Sequence, residues 1–171
     1  MTTVAVKAVT EGWEWAWDSQ VTFGNMRQPL TGGNSFSKVF TVETTTGQVI
    51  KFGGAGSLRL LNAMVHMKLA AFDEGDVDSY VVQTLVPAVN NLMADSGDMN
   101  ITTTEFDLMV ELDGRAFIMG GDMTVFPIND FFAVGSGSEF ALGAMEFGAS
   151  AREAVAIAAK YDIFTGGVIH G

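Results

Sequence analysis

Apolar and polar positions alternate from Thr3 to Val9 and again from Trp13 to Trp17, and Glu11-Gly12 between them has turn chemistry, so the chain is predicted to open with a β-hairpin. A polar loop with glycine and proline follows from about Asn25 to Asn34. Ser35 to Val42 and Gln48 to Phe52 read as a second hairpin around Thr44-Thr45-Thr46-Gly47. Past Gly53-Gly54-Ala55-Gly56 the period changes. Leu58, Leu61, Val65, Leu69 and Phe72 recur at helical spacing, with Leu60, Met64 and Met67 widening the stripe, which predicts a largely buried helix from about Ser57 to Phe72. A second helical pattern runs from about Val77 to Met93, with Pro87 inside it to kink or split it.

Strand patterns return at Phe106 to Leu112, Ala116 to Met119, Met123 to Phe126 and Asp130 to Gly135, separated by the turn pairs Asp113-Gly114 and Gly120-Gly121. Ser136 to Phe147 and Ser150 to Tyr161 then read as helices. The latter opens with Ser150-Ala151-Arg152-Glu153, the pattern of a capping box. Gly166 to His170 closes as a strand. Runs of strands alternating with pairs of helices predict an α+β fold in which helix pairs cover both outer faces of two packed sheets.

Composition narrows the function. The 171 residues are of a length for one domain spanning 1–171, with a sizeable core. A hydrophobic share of 48% with 17% charged residues is globular, and no apolar run is long enough to span a bilayer. The net charge of −11 repels phosphate backbones and anionic lipid, so neither nucleic acid nor a membrane is an expected partner. The absence of cysteine removes disulfides and thiol catalysis. No secretory signal pattern is visible, which makes a cytoplasmic setting the expectation.

Few motifs carry chemistry. Neither His66 nor His170 belongs to a GxSxG or HExxH pattern. The acidic run from Asp73 to Asp78 lacks calcium-loop spacing and reads as a solvated loop before a helix. The Gly53 to Gly56 turn lacks the lysine of a nucleotide-binding loop, although its backbone amides suit an oxyanion. The start of the chain is more informative. A threonine at a free N-terminus carries its own base, because an α-amine with a pKa of about 7.7 to 8 can take the hydroxyl proton. It needs a nearby cation to favour the neutral amine, a carboxylate to hold that cation, and backbone N–H donors for the oxyanion. Lys38, Asp18 and the glycine turn at Gly54 are candidates for these three roles.

These features together resemble a known family. Thr2-Thr3-Val4-Ala5-Val6, Asp18-Ser19-Gln20 with Gly24-Asn25, Gly33-Asn34 leading to Lys38-Val39, Phe52-Gly53-Gly54, the stretch Pro127 to Gly137, and Ser150 to Glu153 with Ala158 to Gly166 are similar to proteasome-type β subunits. The closest resemblance is to the HslV peptidases, N-terminal-nucleophile hydrolases. It implies a four-layer αββα sandwich and a threonine endopeptidase that cuts unfolded polypeptide. Thr2 would be the nucleophile once Met1 is removed, and the chain would be inactive while Met1 is retained. Lys38 would stand beside its amine and Asp18 would hold Lys38. Ser136, also expected as an N-cap, Asp162 and Thr165 would support the threonine, while Gly54 would supply the oxyanion amide, with Gly53 and Thr22 beside the substrate. The resemblance requires no cofactor for hydrolysis and allows a structural monovalent cation. It implies stacked homo-oligomeric rings, a dodecamer or similar, fed by a AAA+ unfoldase. A ring or shell protein of the same fold without turnover, and an amidase acting on a small amide, are the competing readings.

Overall fold

The computed structural model of the chain describes residues 2–30, 37–95 and 106–171. The first hairpin, β1 (Thr3–Val9) and β2 (Gly12–Asp18), forms as predicted. It is the centre of an antiparallel sheet in the order β10-β1-β2-β11, with β10 at Phe131–Gly135 and β11 at Ile169–His170. A second sheet runs β5 (Val39–Glu43), β6 (Val49–Ala55), β7 (Asp107–Leu112), β8 (Arg115–Gly120) and β9 (Val125–Ile128) in chain order. Asp113 and Gly114, both at positive φ, make the tight β7–β8 turn.

Alternation along the strands decides the layering. Val4, Val6 and Trp15 turn inward from the first sheet onto Val39, Met109 and Ile118 of the second. The opposite face of the first sheet presents Ala5, Ala16 and Ala133 to Ala141 and Met145 of α4 (Ser138–Glu146) and to Ala151, Ala154, Val155 and Ala158 of α5 (Ala151–Tyr161). Small side chains on both partners let these helices lie close. The outer face of the second sheet buries Phe40, Ile50, Phe52, Leu108 and Val110 against the helices between β6 and β7. The result is the expected α+β, four-layer αββα sandwich. Among the described residues no helix is long and apolar enough to cross a membrane.

Several local expectations are corrected. The helix over 57–72 stops early: α1 spans Leu58–Met64, capped by the Ser57 side chain. Beyond it the backbone of Leu69 and Phe72 finds partners on the β5–β6 turn. Thr45 N donates to Leu69 O at 2.9 Å, Gln48 Nε2 donates to Phe72 O at 2.8 Å, and Phe72 N donates to Gln48 Oε1 at 3.0 Å. Leu69 and Phe72 are buried as the periodicity implied, but on extended chain. The next helical segment is continuous through Pro87: α2 (Val77–Tyr80), a π turn (Val81–Leu85) and α3 (Val86–Asp95). Proline lacks an N–H and its ring crowds the carbonyl four residues back, and the wider turn just before it relieves that conflict.

The first part of the predicted loop holds a strand, β4 (Met26–Pro29), paired in a hairpin with β3 (Gln20–Phe23) just before it; residues 31–34 of that loop lie outside the described residues, as do Ser35 and Phe36 of the predicted strand. The capping box at Ser150 and Glu153 is present. Ser136 does not cap α4, because Gly137 occupies that position and the Ser136 side chain turns toward Asp162.

Candidate active site

Both sheets end at one place. β2 delivers Asp18, β1 begins just after Thr2, and Lys38 immediately precedes β5. All three side chains are buried, with Asp18 at 0%, Lys38 at 3% and Thr2 at 4% exposure. A buried carboxylate is tolerable only when paired and hydrogen-bonded, and Asp18 is both. Its Oδ1 accepts from Thr2 Oγ1 at 2.7 Å, from Thr3 N at 2.8 Å and from Lys38 Nζ at 2.8 Å. Its Oδ2 accepts from Gln20 N at 3.1 Å and Gly166 N at 3.0 Å. Lys38 Nζ also donates to Gln20 O at 2.6 Å. Burial pulls the Lys38 pKa below that of an ordinary lysine, and the charge and hydrogen bond of Asp18 only partly oppose this.

A second acid lies on the other side of the Thr2 backbone. Asp162, the residue that ends α5, accepts at Oδ2 from Ser136 Oγ at 2.6 Å and from Thr165 Oγ1 at 2.5 Å, and at Oδ1 from Phe164 N at 3.1 Å. Burial pushes its pKa upward, but the bonds from Ser136, Thr165 and Phe164 outweigh this and leave it below the usual value, so the group is ionised at neutral pH. Ser136 Oγ also lies 3.4 Å from Thr2 O. Its one proton goes to the shorter contact with Asp162, which leaves the longer approach to Thr2 O without a proton of its own. Gly135 makes this approach feasible: its φ is +97°, and a Cβ there would run into the Thr2 carbonyl.

A cavity of about 40 Å³ opens beside Thr2 and Lys38, walled by Val21, Gly54, Ala55, Gly56, Leu58 and Leu61. Gly54 lines this cavity, but its N–H donates to Lys38 O at 3.0 Å. It is therefore not the free amide expected for an oxyanion. Gly53 faces the sandwich interior, where a Cβ would sit 2.5 Å from Trp15 Cζ3, so its glycine serves packing. Thr22 is paired with Arg27 on β3–β4, and its hydroxyl is buried with no hydrogen-bond partner among the described residues; the neighbouring Val21 is the residue that lines the cavity.

The structure thus brings Thr2, Asp18 and Lys38 together on one side of the Thr2 backbone, and Ser136, Asp162 and Thr165 together on the other. The contributions of Gln20 O, Gly166 N and Gly135 were not legible, because backbone groups leave no side-chain signature. Thr3 stood in plain view beside Thr2 without an assigned part.

The fold has counterparts among solved structures. The fold of BPH from Thiobacillus denitrificans superposes with a TM-score of 0.73 at 19% identity, covering 98% of this chain and 95% of that one. The chain has the proteasome-subunit fold. Anbu from Yersinia bercovieri gives a TM-score of 0.73 at 12% identity, covering 98% of this chain and 78% of that one. The HslV of Trypanosoma brucei gives 0.66 at 19% identity, covering 98% and 96%. The Thiobacillus protein has also been solved in complex with epoxomicin. No family model matches the chain, and no curated protein does. At these identities the proteasome-type likeness is one of fold, and the chemistry has to be argued from the residues themselves.

Proposed function

We propose that the chain is a threonine peptidase subunit whose nucleophile is Thr2, exposed by removal of Met1. The observation that carries this reading is the buried Thr2–Asp18–Lys38 cluster at the edge of an open cavity. While Met1 is attached, the nitrogen of Thr2 is an amide and has no basic lone pair. Once it is released, the α-amine takes the Oγ1 proton, Oγ1 adds to the substrate carbonyl, and the amide C–N bond breaks as the proton passes to the departing amine. Water, deprotonated by the same amine, then hydrolyses the ester. The Lys38 ammonium beside this amine favours its neutral, basic form, and Asp18 holds that ammonium in place. Ionised Asp162, with Ser136 bonded to it, lies on the other side of the Thr2 backbone and suits a free amine there.

With Gly54 N–H spent on Lys38 and Ala55 paired with Asp107 of β7, the oxyanion donor in this reading is the Gly56 amide, farther along the same cavity wall. Assembly into stacked rings, delivery of unfolded polypeptide by an ATP-driven unfoldase, and a cytoplasmic setting belong to the same proposal. Support for the assembly comes from the fold of the neighbours and from the apolar side chains that the single chain leaves exposed, including Phe147, Phe140 and Tyr161.

Hydrolysis of a fluorogenic peptide, read together with intact mass, tests the reading. Activity should accompany chains that begin at Thr2 and vanish in Thr2→Ala. Turnover that survives Thr2→Ala, or an active sample carrying Met1 on every chain, refutes it. An assembly that forms intact rings without cutting favours the non-catalytic shell.

A further inference from the structure

We infer that Thr3 is a positioning residue that ties the two acid centres together and so fixes the peptide plane of the nucleophile; this rests on the reading of Thr2 as that nucleophile. Thr3 is fully buried at 0% exposure. Its backbone N–H donates to Asp18 Oδ1 at 2.8 Å, the atom that also receives Thr2 Oγ1 and Lys38 Nζ. Its side chain points to the other face of β1, where its Oγ1 lies 2.6 Å from Thr165 Oγ1.

Proton bookkeeping sets the direction of that second contact. An ionised carboxylate only accepts, so the single Thr165 hydroxyl proton is committed to Asp162 Oδ2 at 2.5 Å. Thr3 must therefore be the donor to Thr165, giving a one-way chain from Thr3 through Thr165 to Asp162. Bonds aligned in this way polarise one another. The fold leaves room for this chain at one point only by omitting a side chain: a Cβ on Gly137 would collide with Thr3 Oγ1 and lie 2.9 Å from Thr165 Oγ1.

The mechanical consequence follows from peptide planarity. The Thr3 N–H and the Thr2 carbonyl belong to one rigid unit. Asp18 holds that unit at the nitrogen, and Gly135 presses close at the oxygen. The Thr3 hydroxyl adds a third anchor, locking the χ1 of a β-branched residue against the Asp162 side. Thr2 is thereby left with its own side-chain torsion and little else to set. Valine would fill the same volume yet leave the Thr165 acceptor unsatisfied in a dry site.

The experiment compares Thr3→Val, Thr3→Ser and wild type, each with Thr2 confirmed as the first residue by intact mass. Thr3→Val should lower kcat about ten- to a hundredfold, as expected for a misplaced reacting group, with KM unchanged; Thr3→Ser should restore most of the kcat. Wild-type kcat in Thr3→Val overturns the proposal. So does a loss in Thr3→Val that Thr3→Ser fails to restore, since that marks plain packing. If Thr3→Val does not fold, Thr165→Val breaks the same chain from its far side, and an unchanged kcat there overturns the proposal equally. Wild type that starts at Thr2 and shows no turnover removes the peptidase reading and this inference with it, a result separable from the others because it involves no substitution.

Discussion

Replacing Asp18 by asparagine perturbs the site with almost no change of shape. Five donors converge on this carboxylate among the described residues, three on Oδ1 and two on Oδ2. An amide offers one accepting oxygen and one donating nitrogen, so whichever way it turns, N–H groups face N–H or O–H groups. Lys38 also loses the only acidic partner it has among the described residues, in surroundings where burial already pulls its pKa down. Removing one partner of a buried ion pair costs about 3–5 kcal/mol. That is a large part of the ~5–15 kcal/mol by which a domain is stable.

For a chain of this size each kcal/mol moves the melting midpoint by about 2–4 °C, which gives a fall on the order of 6–20 °C. Chemical denaturation should show a lower midpoint with an unchanged slope. The double variant Asp18→Asn with Lys38→Met should be more stable than Asp18→Asn alone, since it removes the orphaned cation. A loss below about 1 kcal/mol for Asp18→Asn, or strictly additive single variants, would refute this account of the cluster.

Three further outcomes follow. Gly135→Ala should destabilise the fold by about 2–5 kcal/mol and abolish any turnover, because it combines a left-handed φ with a clash against the Thr2 carbonyl; a melting midpoint equal to wild type contradicts the geometry. The folded pKa of Asp162 lies below its ordinary 3.8, so the stability it confers is complete above that value and is lost as pH falls through the folded one. Asp162→Asn should therefore flatten the acid end of the stability profile and leave the alkaline end untouched, as urea midpoints across pH would show. Tyr80 donates to Ala70 O at 2.8 Å, and burial holds its pKa above the ordinary 10.0, so its contribution is full below that value and lost as pH rises through the folded one. Tyr80→Phe should cost about 1 kcal/mol near neutrality, with a shallower alkaline decline; an unaltered alkaline slope counts against it.

The sequence by itself determined the order of elements and the faces they bury. Strict alternation in β1 and β2, the paired turn residues at Asp113-Gly114 and the Ser150–Glu153 capping box are local signals, and each reappears where it was read. The meeting of Thr2, Asp18 and Lys38 was legible too, because a threonine just before the first strand, with a lysine and an aspartate at strand ends, is a side-chain pattern. Where local periodicity competed with distant hydrogen-bond partners it misled: Leu69 and Phe72 kept helical spacing, but Gln48 and Thr45 offered their backbone extended-chain partners instead.

Tertiary structure alone decided which amides were free and which were spent. Gly54 was a reasonable oxyanion donor until Lys38 O was found bonded to its N–H, and Ser136 a reasonable N-cap until Asp162 claimed its hydroxyl. Likewise the two threonines at the start are chemically alike in sequence, and only the pleat separates them, sending one hydroxyl to Asp18 and the other to Thr165. The physical reason is that side-chain pattern is written residue by residue, whereas the destination of a proton depends on which groups, far apart along the chain, the packed sheets bring within three ångströms of it.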